Sequence, residues 1–157
     1  MRRELTYTLQ DFPFPSSTEM ETNVIADIVA NPEELQEARR IISAASFSDE
    51  RCRNAWSTLC EMQDKGERID LVSASERLER DFLIKTIVPL TSQSSCLATI
   101  THCQMLAAKA IQARAYQFAL KMLQVSTDKT ASLDELVSLP EQFSNAVRAD
   151  LNADADS

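Results

Sequence analysis

The residues best suited to covalent chemistry in this 157-residue sequence are the adjacent pair His102 and Cys103. A thiol nucleophile needs a neighbouring base to take its proton, and His102 is the only histidine in the chain. The pair therefore raises the hypothesis of a small hydrolase. Its position near the start of a long amphipathic pattern favours a simpler interpretation, in which His102 is exposed or lies at the edge of a core.

Paired carboxylates are the other groups that could perform acid and base catalysis, and they occur at Glu33–Glu34, Asp49–Glu50 and Asp134–Glu135. Each pair falls in the first turn of a predicted helix, where negative charge interacts favourably with the helix dipole. We interpret these pairs as helix-start residues. The sequence therefore predicts no catalytic residue.

The four cysteines, Cys52, Cys60, Cys96 and Cys103, lie at helical spacings and include no C-x-x-C pair. A zinc site would need four ligands grouped in short pairs, and the single histidine cannot supply the missing ligands. We expect the cysteines to be small apolar side chains in a reducing compartment, with no metal site.

Glycine is almost absent from the sequence, since Gly66 is the only one. Phosphate-binding loops need clustered glycines, because backbone N–H groups must approach the anion closely. The tight turns of all-β proteins depend on glycine as well. The sequence therefore excludes a P-loop within these residues, predicts no cofactor bound to this chain, and favours an all-α fold.

The formal net charge of -8 favours protein partners over a broad basic face for nucleic acid. Lys109, Arg114 and Lys121 form the only basic segment, which is too sparse for tight DNA binding by one chain and leaves direct DNA contact open. The first residues are polar, and no apolar run approaches the roughly 20 residues needed to span a bilayer. We expect a cytoplasmic protein without membrane contact.

Helix-start signals and proline positions divide the chain into predicted regions. Residues 1–15 contain Phe12-Pro13-Phe14-Pro15 and predict an extended arm. Residues 16–95 predict a compact bundle of several helices, residues 96–150 predict a long helical hairpin, and residues 151–157 predict an acidic tail.

Small polar residues mark the predicted helix starts, often with a glutamate three residues later. They place these starts at Ser16 or Thr18, Asn31, Ser48, Ser73 and Ser132. Gly66 is predicted to end the third helix in a left-handed conformation, and Trp56 is predicted to lie in the core. Pro89 is predicted to stop a short helix, and Pro140 to break or kink the second arm of the hairpin.

The two arms of the predicted hairpin carry opposite charge. Residues 93–131 contain one acidic and four basic residues, whereas residues 132–157 contain six acidic and one basic residue. This asymmetry could attract the two arms of one chain to each other. It could equally orient the pairing of hairpins from two chains, and the sequence leaves both interpretations open.

Three blocks of residues resemble, in order, the N-terminal domain of the DnaB-type replicative DNA helicases. Residues 20–29 are similar to the family's Ala-Glu-x-x-Val-Leu-Gly run, with Ala26 at the last position. Residues 47–56 resemble a run from phenylalanine to an aromatic residue, with Cys52 at the family's histidine. Residues 66–73 match Gly-x-x-Ile-Asp-x-Val-Thr. The motif residues are Glu21, Val24, Phe47, Trp56, Gly66, Ile69 and Asp70.

The resemblance implies a non-catalytic collar domain of a ring-forming helicase. In that family, hairpins pair into dimers that help to assemble a hexamer, and the domain docks primase or a helicase loader. Carried over to this chain, the likeness makes Ile111, Phe118, Phe143 and Val147 candidate interface residues. ATP, Mg²⁺ and DNA would be bound by a motor domain that these residues do not contain.

A hypothesis from a different class is a free-standing helical adaptor or regulator that never carries a motor. The coding sequence downstream of Ser157 would distinguish the two hypotheses. An open frame that continues into a P-loop supports the helicase, and a stop codon supports the adaptor.

Overall fold

The computed structural model describes residues 17–94 and 96–153, and no strand occurs among them. The all-α prediction is confirmed, with a helical bundle followed by a long helical hairpin. The predicted arm at residues 1–15 and the last part of the predicted tail, residues 154–157, lie outside the described residues.

The first helix is α1 (Thr18–Ala30), and its cap lies between the two predicted caps, Ser16 and Thr18. Ser17 is the cap, and its side chain accepts a hydrogen bond from the Met20 amide at 3.2 Å. A short 3₁₀ turn, Pro32–Glu34, then leads into α2 (Leu35–Ile41). Asn31 does not cap this second start, because its side-chain amide instead donates to the Asp27 carbonyl at the end of α1.

The third helix, α3 (Glu50–Asp64), is capped by Asp49 and not by the predicted Ser48. The Asp49 carboxylate accepts hydrogen bonds from the amides of Arg51 at 2.8 Å and Cys52 at 3.3 Å. A side-chain hydrogen bond from Arg51, together with these amides, lowers the pKa of Asp49 below its ordinary value. A 3₁₀ turn, Ala44–Ser46, precedes this start.

The segment after α3 shows two differences from the predicted pattern. Helix α4 (Leu71–Arg77) is capped by Asp70, three residues before the predicted cap Ser73, because the Asp70 carboxylate accepts a hydrogen bond from the Ser73 amide at 2.8 Å. A helical run then comprises α5 (Arg80–Phe82), a widened π turn (Leu83–Ile87) and α6 (Val88–Thr91). The run passes Pro89, which lies in the first turn after the wide one, where its missing N–H is tolerated.

The hairpin consists of α7 (Cys96–Thr127) and α8 (Leu133–Ala153). At about 1.5 Å per residue, α7 is roughly 48 Å long, which exceeds the diameter of a small domain. Ser132 accepts from the Glu135 amide at 3.3 Å, so its predicted helix start is confirmed. Pro140 lies inside α8 without ending it, although proline has no backbone N–H and one hydrogen bond of the helix is lost. The neighbouring Leu139 is buried, so its packing stabilises the helix at this point.

The hydrophobic core lies in the bundle, where α1 is buried on nearly all sides. Helix α7 reaches it through Cys103 and Leu106 near its start. The largest fully buried apolar side chains are Ile25, Ile28, Leu35, Leu59, Met62, Leu83 and Ile87. Among the described residues, no helix is long and apolar enough to cross a membrane.

Candidate protein-interaction site

A buried hydrogen bond fixes the base of the hairpin to the bundle. Asp27 lies on α1 with its side chain 4% exposed, and its Oδ2 is 2.5 Å from Nδ1 of His102 on α7. Because the carboxylate can only accept, Nδ1 is the donor. His102 therefore lies at the edge of the core with a structural partner. The sequence analysis missed Asp27, whose signal was a single acid within the apolar residues of α1.

Cys103, the other half of the pair considered for catalysis, is fully buried. Burial raises the pKa of its thiol to about 12, and the same effect raises the pKa of the Cys52 thiol to about 12. A nucleophilic cysteine needs a lowered pKa and access to substrate. The geometry therefore does not support the hydrolase hypothesis. No cluster of three or more potential metal ligands occurs within residues 17–94 and 96–153.

Glu21, the charged residue of the first sequence block, is 1% exposed and joins α1 to the start of α3. Its carboxylate accepts from the Ser48 hydroxyl at 2.7 Å and from the Asp49 amide at 2.9 Å. Val24 lies fully buried one turn further along α1. The partners of Glu21 come from a different segment, so its role was not visible in the local pattern of α1.

The second sequence block supplies an aromatic contact within the core. Phe47 and Trp56 are both buried, and their ring centroids lie 5.5 Å apart in a tilted arrangement. Such geometry is favourable for aromatic pairs. Phe47 directly precedes Ser48 and Asp49, the two residues that Glu21 contacts. The first and second sequence blocks therefore pack at the same corner of the bundle.

The third block forms the connection from α3 to α4. Gly66 has a φ of +70°, and the Glu67 amide donates to the Met62 carbonyl at 2.9 Å, which closes α3 as a Schellman motif. Ile69 is buried, and Asp70 caps α4. The predicted left-handed Gly66 is confirmed, and the Cβ of any other residue would be strained at this φ.

The four residues expected at a hairpin interface lie along the hairpin and are all half-buried. Phe118 of α7 and Phe143 of α8 contact each other, with ring centroids 5.2 Å apart. Their contact therefore holds the two arms of one chain together while part of each ring remains exposed. Ile111 and Val147 lie further from the tip of the hairpin than this phenylalanine pair.

Exposed apolar side chains occur close to the tip of the hairpin, where the sequence analysis named no residue. Leu123 is 54% exposed on the last turns of α7, and Leu133 and Val137 are 80% and 73% exposed on the first turns of α8. Leu133 and Val137 are four residues apart and share one face of α8. We call these three residues the tip patch. A helical stripe shows which residues are apolar but not which of them a second helix will cover.

Several charged side chains of the two arms form no ion pair with another described residue. Among the described residues, Lys109 and Lys121 of α7 form no ion pair, and neither do Glu135 and Glu141 of α8. Arg114 does cross between the arms, since its Nη1 donates to the Ala146 carbonyl at 3.1 Å. These two lysines and two glutamates therefore have no ion-pair partner within the described part of the chain.

A family model and solved structures place the chain among known proteins. The sequence model of the DnaB-like helicase N-terminal domain matches residues 14–110. The fold is similar to the N-terminal domain of DnaB helicase from Mycobacterium tuberculosis, with a TM-score of 0.71 and 15% identity over 83% of this chain and 99% of that one. Comparison with curated proteins gave no match.

A second similar structure is that of a DnaB-like replicative helicase, described together with its interactions with primase. The TM-score is 0.63 and the identity 20%, over 81% of this chain. This chain spans only 31% of the length of that helicase. Both structural matches therefore concern the same helical domain.

Proposed function

The chain belongs to the family of DnaB-like helicase N-terminal domains, and from this premise we propose that it is the collar of a replicative DNA helicase. In this role it pairs with a second copy through the hairpin, supports assembly of a ring, and docks primase or a helicase loader. The matches cover only the non-catalytic N-terminal domain, and the chain contains no motor domain. The resemblance inferred from the three sequence blocks is thereby confirmed.

The observation that carries the pairing proposal is the exposed tip patch on a hairpin that extends from the bundle. Leu133 and Val137 leave most of their apolar surface in water, and burying such a side chain contributes about 1.5–3 kcal/mol. A second hairpin packed alongside would cover this surface. We expect Ile111, Phe118, Phe143 and Val147 to contribute to the same interface through their exposed parts.

Charge supports the orientation of this pairing. If α7 of one copy packs against α8 of the other, the basic arm of each copy lies near the acidic arm of its partner, and the opposite charges attract. Lys109 and Lys121 would then meet carboxylates such as Glu135 and Glu141, which form no ion pair within the described part of one chain. Complementary charge of this kind chiefly fixes the register of the two copies.

The docking part of the proposal draws on the relative described with primase. A domain without catalytic groups, in a helicase of this kind, would contribute by holding partners near the ring. We expect DNA, ATP and Mg²⁺ to be bound by the motor domain of the full-length helicase. We also expect the protein to work in the cytoplasm, where a replicative helicase of this family meets DNA.

Light scattering coupled to size exclusion tests the pairing proposal. We expect the wild-type chain to have the mass of two copies at high micromolar concentration and to dissociate on dilution. The double variant Leu133→Gln, Val137→Gln should have the mass of one copy at every concentration, because it removes the apolar surface of α8 at the tip.

Val72→Gln is the matched control, since Val72 is a 74% exposed valine on α4, outside the hairpin. It should dimerise as the wild type does. A wild-type mass of one copy at high concentration would contradict the proposal. Equal loss of dimer in Val72→Gln would place the interface on the bundle.

A further inference from the structure

A groove lies between the bundle and the hairpin, and its volume is about 600 Å³. The end of α2 and the residues up to Phe47 form one wall, and α7 forms the other. Pockets that hold ligands typically measure roughly 300–1,000 Å³, so the space is large enough for several side chains of a bound segment.

Among the residues that the structure describes, four arginines line this groove and no acidic residue does. They are Arg39, Arg40, Arg53 and Arg114, and we call the site the arginine groove. The chain as a whole carries a net charge of -8, so this concentration of positive charge opposes the overall balance. A groove lined by one sign of charge attracts ligands of the opposite sign.

Hydrogen bonds or exposed ion pairs hold three of these arginines, Arg39, Arg40 and Arg53, in position. Arg53 donates to the backbone carbonyls of Phe47 and Ser48, both at 3.3 Å, and these partners are neutral. Arg39 pairs with Asp64, and Arg40 pairs with Glu37, and both ion pairs are exposed to solvent. Exposed pairs of this kind contribute about 0–1 kcal/mol, so an incoming carboxylate can compete for both guanidinium groups.

The walls between the arginines are apolar. Ile41 and Ile111 are half-buried, and α7 presents the small side chains of Ala107, Ala110 and Ala113. Small residues let a second backbone approach a helix closely. A ligand that combines apolar side chains with carboxylates would satisfy both the walls and the arginines.

A single strand of nucleic acid fits this groove less well. Such binding relies on exposed aromatic rings on which bases stack, and Phe47, the aromatic residue of the groove, is 2% exposed. The net charge of the chain also repels a polyanion at long range. A short acidic segment meets the local arginines without carrying that extended charge.

We propose that the arginine groove binds an acidic, amphipathic peptide segment of a partner protein, with its carboxylates on the guanidinium groups and its apolar side chains between Ile41 and α7. This inference rests on the docking part of the proposed function and names the chemistry of the docked partner. It does not depend on pairing through the tip patch, because the groove is formed within one chain.

Fluorescence anisotropy tests the proposal with a fluorescein-labelled synthetic peptide that carries leucine and glutamate at helical spacing. We expect saturable binding in the micromolar range. Two further probes, the same peptide with glutamine at each glutamate and a poly-glutamate of equal length, should each bind at least about tenfold more weakly, because each lacks one of the two chemistries.

Variants then assign the binding to the groove. Arg53→Gln should weaken the peptide about tenfold, which corresponds to about 1.4 kcal/mol. Ala110→Trp keeps every charge but fills the groove, and it should weaken binding at least as much. Arg80→Gln is the matched control, because Arg80 is exposed on α5 and does not line the groove. It should leave the affinity unchanged.

Absence of saturable binding, or binding unaffected by both Arg53→Gln and Ala110→Trp, would overturn the proposal. Tighter binding of a labelled oligothymidine with the same dependence on Arg53 would also overturn it and would make the groove a nucleic-acid surface. Light scattering on the same samples keeps the two proposals apart. A dimer that binds no peptide overturns the groove alone, whereas a monomer that binds peptide overturns only the pairing.

Discussion

The bundle and the hairpin of this protein use apolar residues in opposite ways. In the bundle, side chains from α1, α2, α3 and the base of α7 enclose one another in a contiguous core. Beyond Leu106, Leu139 is the only fully buried residue among the hairpin side chains that the structure describes. The bundle thus encloses a contiguous core, whereas the outer part of the hairpin leaves large apolar side chains exposed.

Polar residues show the same contrast. The buried carboxylates of the bundle, Glu21 and Asp27, each have partners from a different segment and act as joints between helices. The charged residues of the hairpin are mostly exposed, and its two arms differ in sign. The two buried carboxylates of the bundle thus fix internal geometry, whereas most charged side chains of the hairpin are exposed to solvent.

The largest expected effect compares one core residue with one residue of the tip patch. Leu59→Ala should lower the free energy of unfolding by about 2–5 kcal/mol, because it leaves a cavity in a fully buried site. Val137→Ala should change it by less than about 0.5 kcal/mol in dilute monomer, because that side chain is already in water. Urea denaturation at low protein concentration measures both. Similar losses of unfolding free energy in the two variants would contradict the contrast between a buried bundle core and an exposed hairpin tip.

A smaller effect is expected at the joint between the two regions. His102→Ala should lower the free energy of unfolding by about 1–3 kcal/mol, because it leaves the buried Asp27 carboxylate without its histidine donor. Hydrogen exchange should accelerate most at the base of α7. Thr101→Ala is the control, since Thr101 is the exposed neighbour on the same helix. If exchange rises equally in all helices, the contact stabilises the whole bundle and is not a joint.

The smallest effect concerns the cap of α3 and depends on pH. Asp49→Ala should lower the free energy of unfolding by about 1 kcal/mol at neutral pH, as the loss of a helix cap does. The folded-state pKa of Asp49 lies below its ordinary value, so its charge stabilises the fold above the unfolded pKa. That contribution disappears as the pH falls through the folded-state pKa.

Urea denaturation of wild type and Asp49→Ala at neutral pH and at a pH below the folded-state value checks this prediction. The difference between the two proteins should shrink in acid. Glu76→Ala, a change at an exposed residue near the end of α4 and away from its cap, should show little difference at either pH. A difference that stays constant with pH would assign the cost to the neutral hydrogen bonds of Asp49.

Local sequence signals predicted the fold well where only one residue could satisfy the backbone. Gly66 is the single residue suited to a positive φ, and Ser132 is the only hydroxyl residue directly before α8. Where several small polar residues stood together, the predicted cap was displaced, as at Ser48, whose neighbour Asp49 caps α3. The Ser48 hydroxyl donates a hydrogen bond to the Glu21 carboxylate instead, and this contact with a distant residue decided that Asp49 and not Ser48 caps the helix.

The candidate site was less predictable than the fold. The family resemblance pointed to Phe118 and Phe143, which contact each other, but not to the tip patch, because a sequence pattern does not distinguish covered from exposed apolar residues. The arginine groove was not predicted either. Arg53 and Arg114 are far apart in the sequence and line one groove only because α7 packs beside the segment that leads into α3.

The sequence alone determined that this protein is helical, that it has a bundle and a hairpin, and that no phosphate loop lies within it. These properties depend on glycine content, periodicity and capping, which act between near neighbours in the chain. Only the tertiary structure decided which residues meet. The Asp27–His102 joint spans 75 positions, and both this joint and the arginine groove arise from helix packing, which brings together residues that no local pattern relates.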